Sequence, residues 1–396
     1  MPTTTSLIKP VPNSNRGMVV LALTLAVFFA ASTAPTPLYG IYQHEWSFSP
    51  VMLTLVFAVY SFSLLVALLT MGALSDHVGR KPAILLSLVL VGVSMVIFAQ
   101  AQGLADLLWA RSLQGIATGT ATSAVGAAML DLDRENGTLI NTLSPLLGMA
   151  AGIFGAGEYA TRYPLAIQNV FWALLIVFIA LACGVAAIRE SGHRRPGVLE
   201  SLKPKVRVAA HIRGAYARMA PMNVAVWALG AFYLSLGPSV IIMATGLPSL
   251  GGRAVCLNML SSAVVIWFIR RWQPSAMERM AGLALILGML ALISAVYFSS
   301  ATLILAASIA GGIGFGAGFI GSLRSVMSLS APHERGGLLS AIYVMNYIAF
   351  SLPAIAAGQL AKHIGLASTT YIYSCAIIIL SLSALWASKG TKRKDS

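Results

Sequence analysis

The sequence predicts an all-α membrane protein with twelve transmembrane helices in two pseudo-symmetric six-helix bundles, and three observations carry that prediction. Of 396 residues, 58% are hydrophobic and only 10% charged, whereas an ordinary soluble domain has about 25% charged residues. So little charge cannot clothe a soluble surface. The apolar residues lie in long runs, such as 17–34, 83–98, 170–188 and 371–387, each near the ~20 residues that cross a bilayer as helix. With spans placed on such runs, three of the 26 Lys and Arg residues (Arg162, Arg253 and Lys362) fall on one side and Arg111 lies inside a span, leaving 22 on the other side. That asymmetry follows the positive-inside rule and predicts a multi-pass protein of a bacterial inner membrane with both termini cytoplasmic. The net charge of +14 therefore reflects topology, and no nucleic-acid partner is expected.

Apolar windows and helix breakers place spans near 18–41, 50–73, 83–102, 105–128, 137–157, 165–188, 219–243, 252–271, 277–298, 301–325, 337–360 and 368–388. Connections are short except at 189–218, which holds eight Lys or Arg, two Glu and five Pro or Gly and reads as a cytoplasmic linker. The predicted organisation is a bundle over 1–188, the linker over 189–218 and a second bundle over 219–396. The halves echo each other: the fourth span reads ARSLQGIATGTATSAVGAAM and the tenth AASIAGGIGFGAGFIGSLRSVM, each followed by a short charged turn. Such internal similarity marks duplicated transporter folds, and small residues at this spacing let helices approach closely in lipid. Residues 1–15 are polar and lack the apolar core of a cleaved signal peptide. Cys183, Cys256 and Cys375 sit singly in apolar runs and read as small packing residues.

Between the second and third spans the chain reads Gly72-Ala-Leu-Ser-Asp76-His-Val-Gly79-Arg80-Lys81-Pro82. This loop resembles the cytoplasmic signature of the major facilitator superfamily, with His77 where a basic residue is usual. Gly72 is expected to permit close helix approach, Gly79 to form the tight turn, and Asp76 to pair with Arg80 beside a neighbouring helix end. With Asp131 of the adjacent turn, these residues and Lys81 form a candidate conformational latch. The second half keeps only Arg270, Arg271 and Pro274 of the pattern.

In the fourth span, Arg111-Ser-Leu-Gln114-Gly115 is similar to a second family segment, and Gln114, Thr118 and Thr122 continue a polar stripe at helical spacing. A charge near mid-bilayer costs ~2.5–3.5 kcal/mol on insertion scales and marks a pathway when it faces a wet cavity. Arg111 also lies within ~10 Å of the predicted outer end, from which it could snorkel instead. The fifth span, with Ser144-Pro145 and Gly148, Gly152, Gly155 and Gly157, is similar in part to the glycine-rich segment of the family's antiporters. The resemblance implies a cavity lined by the first, fourth, seventh and tenth helices, and on those spans the candidates for substrate or coupling are Arg111, Gln114, Thr118, Trp227, Tyr233, Phe315 and Phe319. On the eleventh span, Tyr343 and Tyr347 share a face, as Asn223 and Trp227 do on the seventh.

Proton coupling needs a titratable group reached from alternate sides. Of twelve acids, eleven fall in turns, tails or loops, Asp395 among them, and Glu158 at the outer end of the fifth span is either a proton site or a solvated loop acid. With no acid in the first span, neutral or anionic solutes fit better than cations. An intramembrane enzyme is not expected: His77, His193, His211 and His333 read as cytoplasmic and His44 and His363 as external, with no metal cluster and no phosphate-binding loop. The sequence thus predicts a monomeric secondary carrier without cofactor, exporting small organic solutes by proton antiport. The alternative is a proton-coupled uptake symporter for a neutral or anionic metabolite.

Overall fold

The computed structural model describes residues 14–192 and 195–392. His193, Asp395 and most of the polar stretch at 1–15 lie outside the described residues. The chain folds as twelve long helices, with no strand among the described residues. They are α1 (Ser14–Thr33), α2 (Pro50–Met71), α3 (Arg80–Ala99), α4 (Leu104–Leu132), α5 (Arg134–Arg162) and α6 (Asn169–Ala187), followed by α7 (Arg213–Ser235), α8 (Pro248–Ile269), α9 (Pro274–Tyr297) and α10 (Ala301–Met327). A last helical stretch, Arg335–Lys392, is broken at Gly365, whose φ of 81° suits glycine; α11 is 335–364 and α12 is 366–392.

Most of these helices are apolar enough to cross a membrane as they stand. The exception with a chemical reason is α4, whose length suffices but whose sequence carries Asp106, Arg111, Gln114 and several Thr and Gly residues. It is affordable in lipid because Arg111, Gln114 and Thr118 are fully buried in the bundle. Two spans are shorter or more bent than the apolar runs suggest. The first, expected to reach residue 41, ends at Thr33, because Pro35 and Pro37 stop the helix; the chain then turns through Thr36–Leu38 into a short helix, Tyr39–Trp46. The seventh begins at Arg213 and breaks near Gly237-Pro238, continuing as Gly237–Thr245 after a 62° bend. Proline there removes a helical N–H and clashes with the preceding turn.

Close helix approach organises both halves in the same way. A Cβ added at Gly115 or Gly119 of α4 would strike the carbonyl oxygens of Tyr60 or Leu64 on α2. One added at Gly312 or Gly316 of α10 would strike those of Asn258 or Ser262 on α8. The two helix pairs therefore share one spacing of glycine contacts, and aligning on those glycines sets a register between the halves. In that register Arg111 corresponds to Ser308, Gln114 to Gly311, Thr118 to Phe315 and Thr122 to Phe319. The glycines of α5 divide: Gly148 and Gly152 press on the Ala26 and Ala30 backbone of α1, whereas Gly155 has open space beside it and Gly157 meets only Pro37 at 3.6 Å.

One apolar core fills the first half, built on Leu21, Phe28, Ile84, Phe98 and Phe171. A second fills the other half, and Phe57, Leu146, Ala150 and Ile153 cross into it from the first. The halves meet along α2 with α11 and α5 with α8. Of the cysteines expected to pack, only Cys256 does, half-buried against the second core; Cys183 and Cys375 are exposed on the bundle surface. The ends carrying loops 72–79, 131–134 and 188–212 share one face with loops 270–273 and 328–334, termed the basic face below.

If these glycine contacts hold each half together, Gly115→Ala and Gly312→Ala should each cost about 1–3 kcal/mol through overpacking. Gly155→Ala should be neutral. Thermal unfolding of the purified protein in detergent reads the difference, and equal melting temperatures for all three would contradict the packing argument.

Candidate substrate cavity and latch

Between the halves lies a cavity of about 230 Å³. It reaches Asn141 of α5, Leu323 of α10 and Leu339 of α11, nearer the basic-face ends of those helices, so it extends toward the basic face. Its two walls differ chemically. The first half contributes the polar Ser32, Tyr60, Thr122, Asn141 and Thr142 interspersed with Phe29, Leu64, Pro145, Leu146 and Met149, and the second contributes mainly the rings of Trp227, Phe315, Phe319, Tyr343, Tyr347 and Phe350. Asn346 adds one amide to the aromatic wall and is hydrogen-bonded to Asn223. No ionisable Asp, Glu, His, Lys or Arg is among the described lining residues.

Of the residues expected to line the cavity, Trp227, Phe315 and Phe319 do. Arg111, Gln114, Thr118 and Tyr233 do not; all four are buried in the bundles. The Arg111 guanidinium points inward rather than snorkelling. Its Nε donates to the Tyr39 hydroxyl at 2.6 Å, and Nη1 donates to the Ser32 carbonyl and to Gln114 Oε1, both at 2.7 Å. The rings of Tyr60, Tyr39 and Phe98 lie 5.2, 5.4 and 5.9 Å from its central carbon, within cation–π range. Gln114 in turn donates to the Ala31 carbonyl at 2.9 Å. Among the described residues no carboxylate pairs with Arg111, and its Nη2 has no partner. Carbonyl dipoles, the Tyr39 hydroxyl and ring faces offset the charge. Since Ser32 and Tyr60 line the cavity and touch Arg111, the charge sits one side chain behind the polar wall.

The latch residues converge on Arg80. Its guanidinium pairs with Asp76 and donates to Ser75 Oγ at 2.8 Å and to Asp131 at 3.0 Å. Gly79, at φ 103°, turns the chain into α3. The residue missed by sequence reasoning is Glu190, just beyond α6: its carboxylate accepts from the Arg80 and Lys81 backbone N–H groups at 2.8 and 3.0 Å, capping α3 with a negative charge at its positive end. Lys81 Nζ donates to the carbonyls of Ala186 and Ile188 at the end of α6, the matching arrangement for a cation. His77, in place of the usual basic residue, holds the linker instead. Its Nδ1 lies 3.1 and 3.0 Å from the carbonyls of Arg195 and Pro196; because carbonyls only accept, Nδ1 carries the proton. Gly72 does not mediate helix approach: an added Cβ would press on the Leu68 carbonyl of its own helix, with the nearest α4 atom, Ser123 Oγ, at 3.7 Å. Asp133 caps α5, accepting from the Glu135 and Asn136 backbone at 3.0 Å. Hydrogen bonds, foremost from the Asn136 side chain, hold its carboxyl below the usual range.

On the opposite face the halves are joined by an ion pair. Glu158 near the end of α5 accepts from Arg253 Nε near the start of α8 at 2.8 Å. Deeper in the same seam, the Phe57 and Phe350 rings meet at 4.9 Å. Glu158 is thus neither in the cavity nor a free loop acid.

The Arg111 geometry makes a prediction. Arg111→Lys should insert normally yet lose transport about tenfold or more, because one ammonium cannot bridge Tyr39, Ser32 and Gln114, and a hydrogen bond to a charged group accounts for that much. Flux at matched protein level checks this, and full activity of the Lys variant would remove Arg111 from the mechanism.

The sequence profile of the Major Facilitator Superfamily matches residues 21–352. The chain is similar to the trichothecene efflux pump TRI12 of Fusarium sporotrichioides, at 27% identity over 172 residues covering 41% of this chain and 28% of that one. It is also similar to the inner membrane transport protein YajR of Escherichia coli strain K12, at 28% identity over 134 residues covering 33% and 28%. The match therefore spans under a third of either curated relative. In fold it resembles the human organic anion transporter MFSD10, with TM-score 0.70, 17% identity and coverage of 94% of this chain and 100% of that one. It likewise resembles a bacterial homologue of the human lysosomal transporter Spinster, solved inward-facing and unoccupied, with TM-score 0.74, 14% identity and coverage of 96% and 97%. Identities so low speak to fold alone, but the profile runs through both halves and the linker between them, and the chain belongs to the major facilitator superfamily of membrane transporters.

Proposed function

We propose that the chain is a secondary carrier that exports small organic solutes across a bacterial inner membrane by alternating access, in exchange for protons. The observation that carries this reading is the cavity between the halves, extending toward the basic face while Glu158 and Arg253 tie the halves together on the other. The charge asymmetry makes the basic face cytoplasmic, so the cavity takes its solute from the cytoplasm. The moving units are 1–188 and 219–396, joined by the linker 189–218, and one chain suffices because both walls come from it. The partial likeness to a protein named as an efflux pump supports the direction.

The cavity supplies no carboxylate for the proton, and Glu158 offers a site elsewhere. The Arg253 hydrogen bond and charge hold the Glu158 carboxyl below the usual range, so only a strongly acid exterior protonates it, and that protonation releases Arg253 and loosens the seal. Asp76, Gly79, Arg80, Lys81 and Asp131, together with Glu190, are the latch that keeps the cytoplasmic end of the first half rigid during the change. The uptake reading for a neutral or anionic metabolite uses the same parts, and the positive charge of Arg111 behind the polar wall is the observation that favours it.

Proteoliposomes with an imposed pH gradient decide between them. Everted vesicles acidified inside should accumulate solute in the lumen, and Glu158→Gln should keep solute exchange while losing the response to pH. Accumulation instead in right-side-out vesicles acidified outside would establish uptake, and flux indifferent to the gradient would remove proton coupling.

A further inference from the structure

Building on the carrier reading, we propose that the transported solute is an uncharged, planar aromatic molecule of one or two rings that carries a hydrogen-bond acceptor, held against Trp227. Four observations converge on this class. The first is charge. With no ionised side chain among the described lining residues, a charged solute would surrender its hydration without a counter-charge. Arg111 is outside the lining: although its Nη2 is unpaired, Ser32 and Tyr60 stand between the guanidinium and the cavity.

The second is the aromatic cluster. Trp227 sits with its ring centroid 5.5 Å from Tyr347, 5.7 Å from Phe350, 6.0 Å from Phe319 and 6.3 Å from Phe315. Tilted and edge-on pairs at these separations are the arrangement into which another flat ring fits by offset stacking or edge contact. In the duplicated register Phe315 and Phe319 stand where the first half has Thr118 and Thr122, so the ring cluster around Trp227 belongs to the second half, while Phe29 and Tyr60 add rings from the first. The third is an unanswered donor: the Trp227 Nε1 is buried and has no hydrogen-bond partner. A buried N–H left unpaired is destabilising, and an acceptor arriving as the rings part around a solute would satisfy it. The Asn346 amide, held by Asn223, stands on the same wall to orient the polar edge. The fourth is size, because 230 Å³ lies below the ~300 Å³ at which drug-sized pockets begin.

The test is radioligand binding to the full chain in nanodiscs, with tritiated coumarin as a neutral two-ring probe bearing a carbonyl acceptor. Naphthalene is the competitor that lacks the acceptor, and coumarin-3-carboxylate is the anionic one. Coumarin should bind about tenfold more tightly than naphthalene, and the carboxylate should fail to compete. Trp227→Phe keeps a ring and deletes the N–H, so it should weaken coumarin about tenfold and leave naphthalene unchanged, which also shows that the variant is folded. Phe319→Ala should weaken both. Tighter binding of the carboxylate, or unaltered coumarin affinity in Trp227→Phe, would overturn the inference. The same preparation screened for flux separates the two claims: transport of an anionic or cationic solute without coumarin binding sinks this inference and spares the carrier, whereas no flux of any solute sinks the carrier reading itself.

Discussion

In a bilayer, helices gain little by burying apolar surface against one another, because lipid tails are as apolar as Leu. What holds this protein together is therefore close backbone approach at small residues. It is seen where Gly115 and Gly119 meet α2, where Gly312 and Gly316 meet α8, and where Gly148 and Gly152 meet α1. Each contact lies within one half. Along the seam between halves side chains make the contacts: Phe57 meets Phe350, Glu158 meets Arg253, and the Thr54 side chain packs tightly on Gly358. Side chains can rotate and re-pair while a carbonyl pressed against a glycine cannot, so the halves are stiff and the seam is where motion belongs.

The duplication leaves the halves alike in packing and unlike in chemistry. At equivalent positions α4 carries Arg111, Gln114, Thr118 and Thr122, and α10 carries Ser308, Gly311, Phe315 and Phe319. The first half thereby holds a buried charge, supported by Tyr39, Ser32 and Gln114, and the second holds the ring cluster around Trp227. A cavity between two such walls is amphipathic by construction. It can hold a flat apolar body on one side and offer hydroxyl and amide groups on the other.

The membrane class, the six-plus-six organisation and the pairing of Asp76 with Arg80 were legible in the sequence, because each depends on a run length or on residues brought together by one short loop. The rest depends on distance. Glu190 reads as one more solvated linker acid until the end of α6 is placed beside the start of α3. Tyr39 was counted inside the first span, and only the turn forced by Pro35 and Pro37 brings its hydroxyl to Arg111. Glu158 and Arg253 belong to different halves, so no local pattern pairs them. Helical periodicity correctly gave Arg111, Gln114 and Thr118 a common face, but the face turned toward α1 and α2 instead of the cavity, since periodicity does not fix the rotation of a helix in its bundle. Tyr60, Asn141 and Phe350 carried no signal, each being one residue of ordinary type in a span.

The central claim is that two stiff halves rock about the seam, exchanging an opening on the basic face for one on the other. Pulsed electron-spin distance measurements on a cysteine-free protein test it most directly, with labels at Thr161 and Ser249 on the opposite face, at Thr138 and Gly336 on the basic face, and at Gln102 and Thr161 within the first half. The account predicts that acidification with solute lengthens 161–249 and shortens 138–336 together while 102–161 stays fixed. Independent changes on the two faces, or a change within the half as large as those between halves, would contradict it.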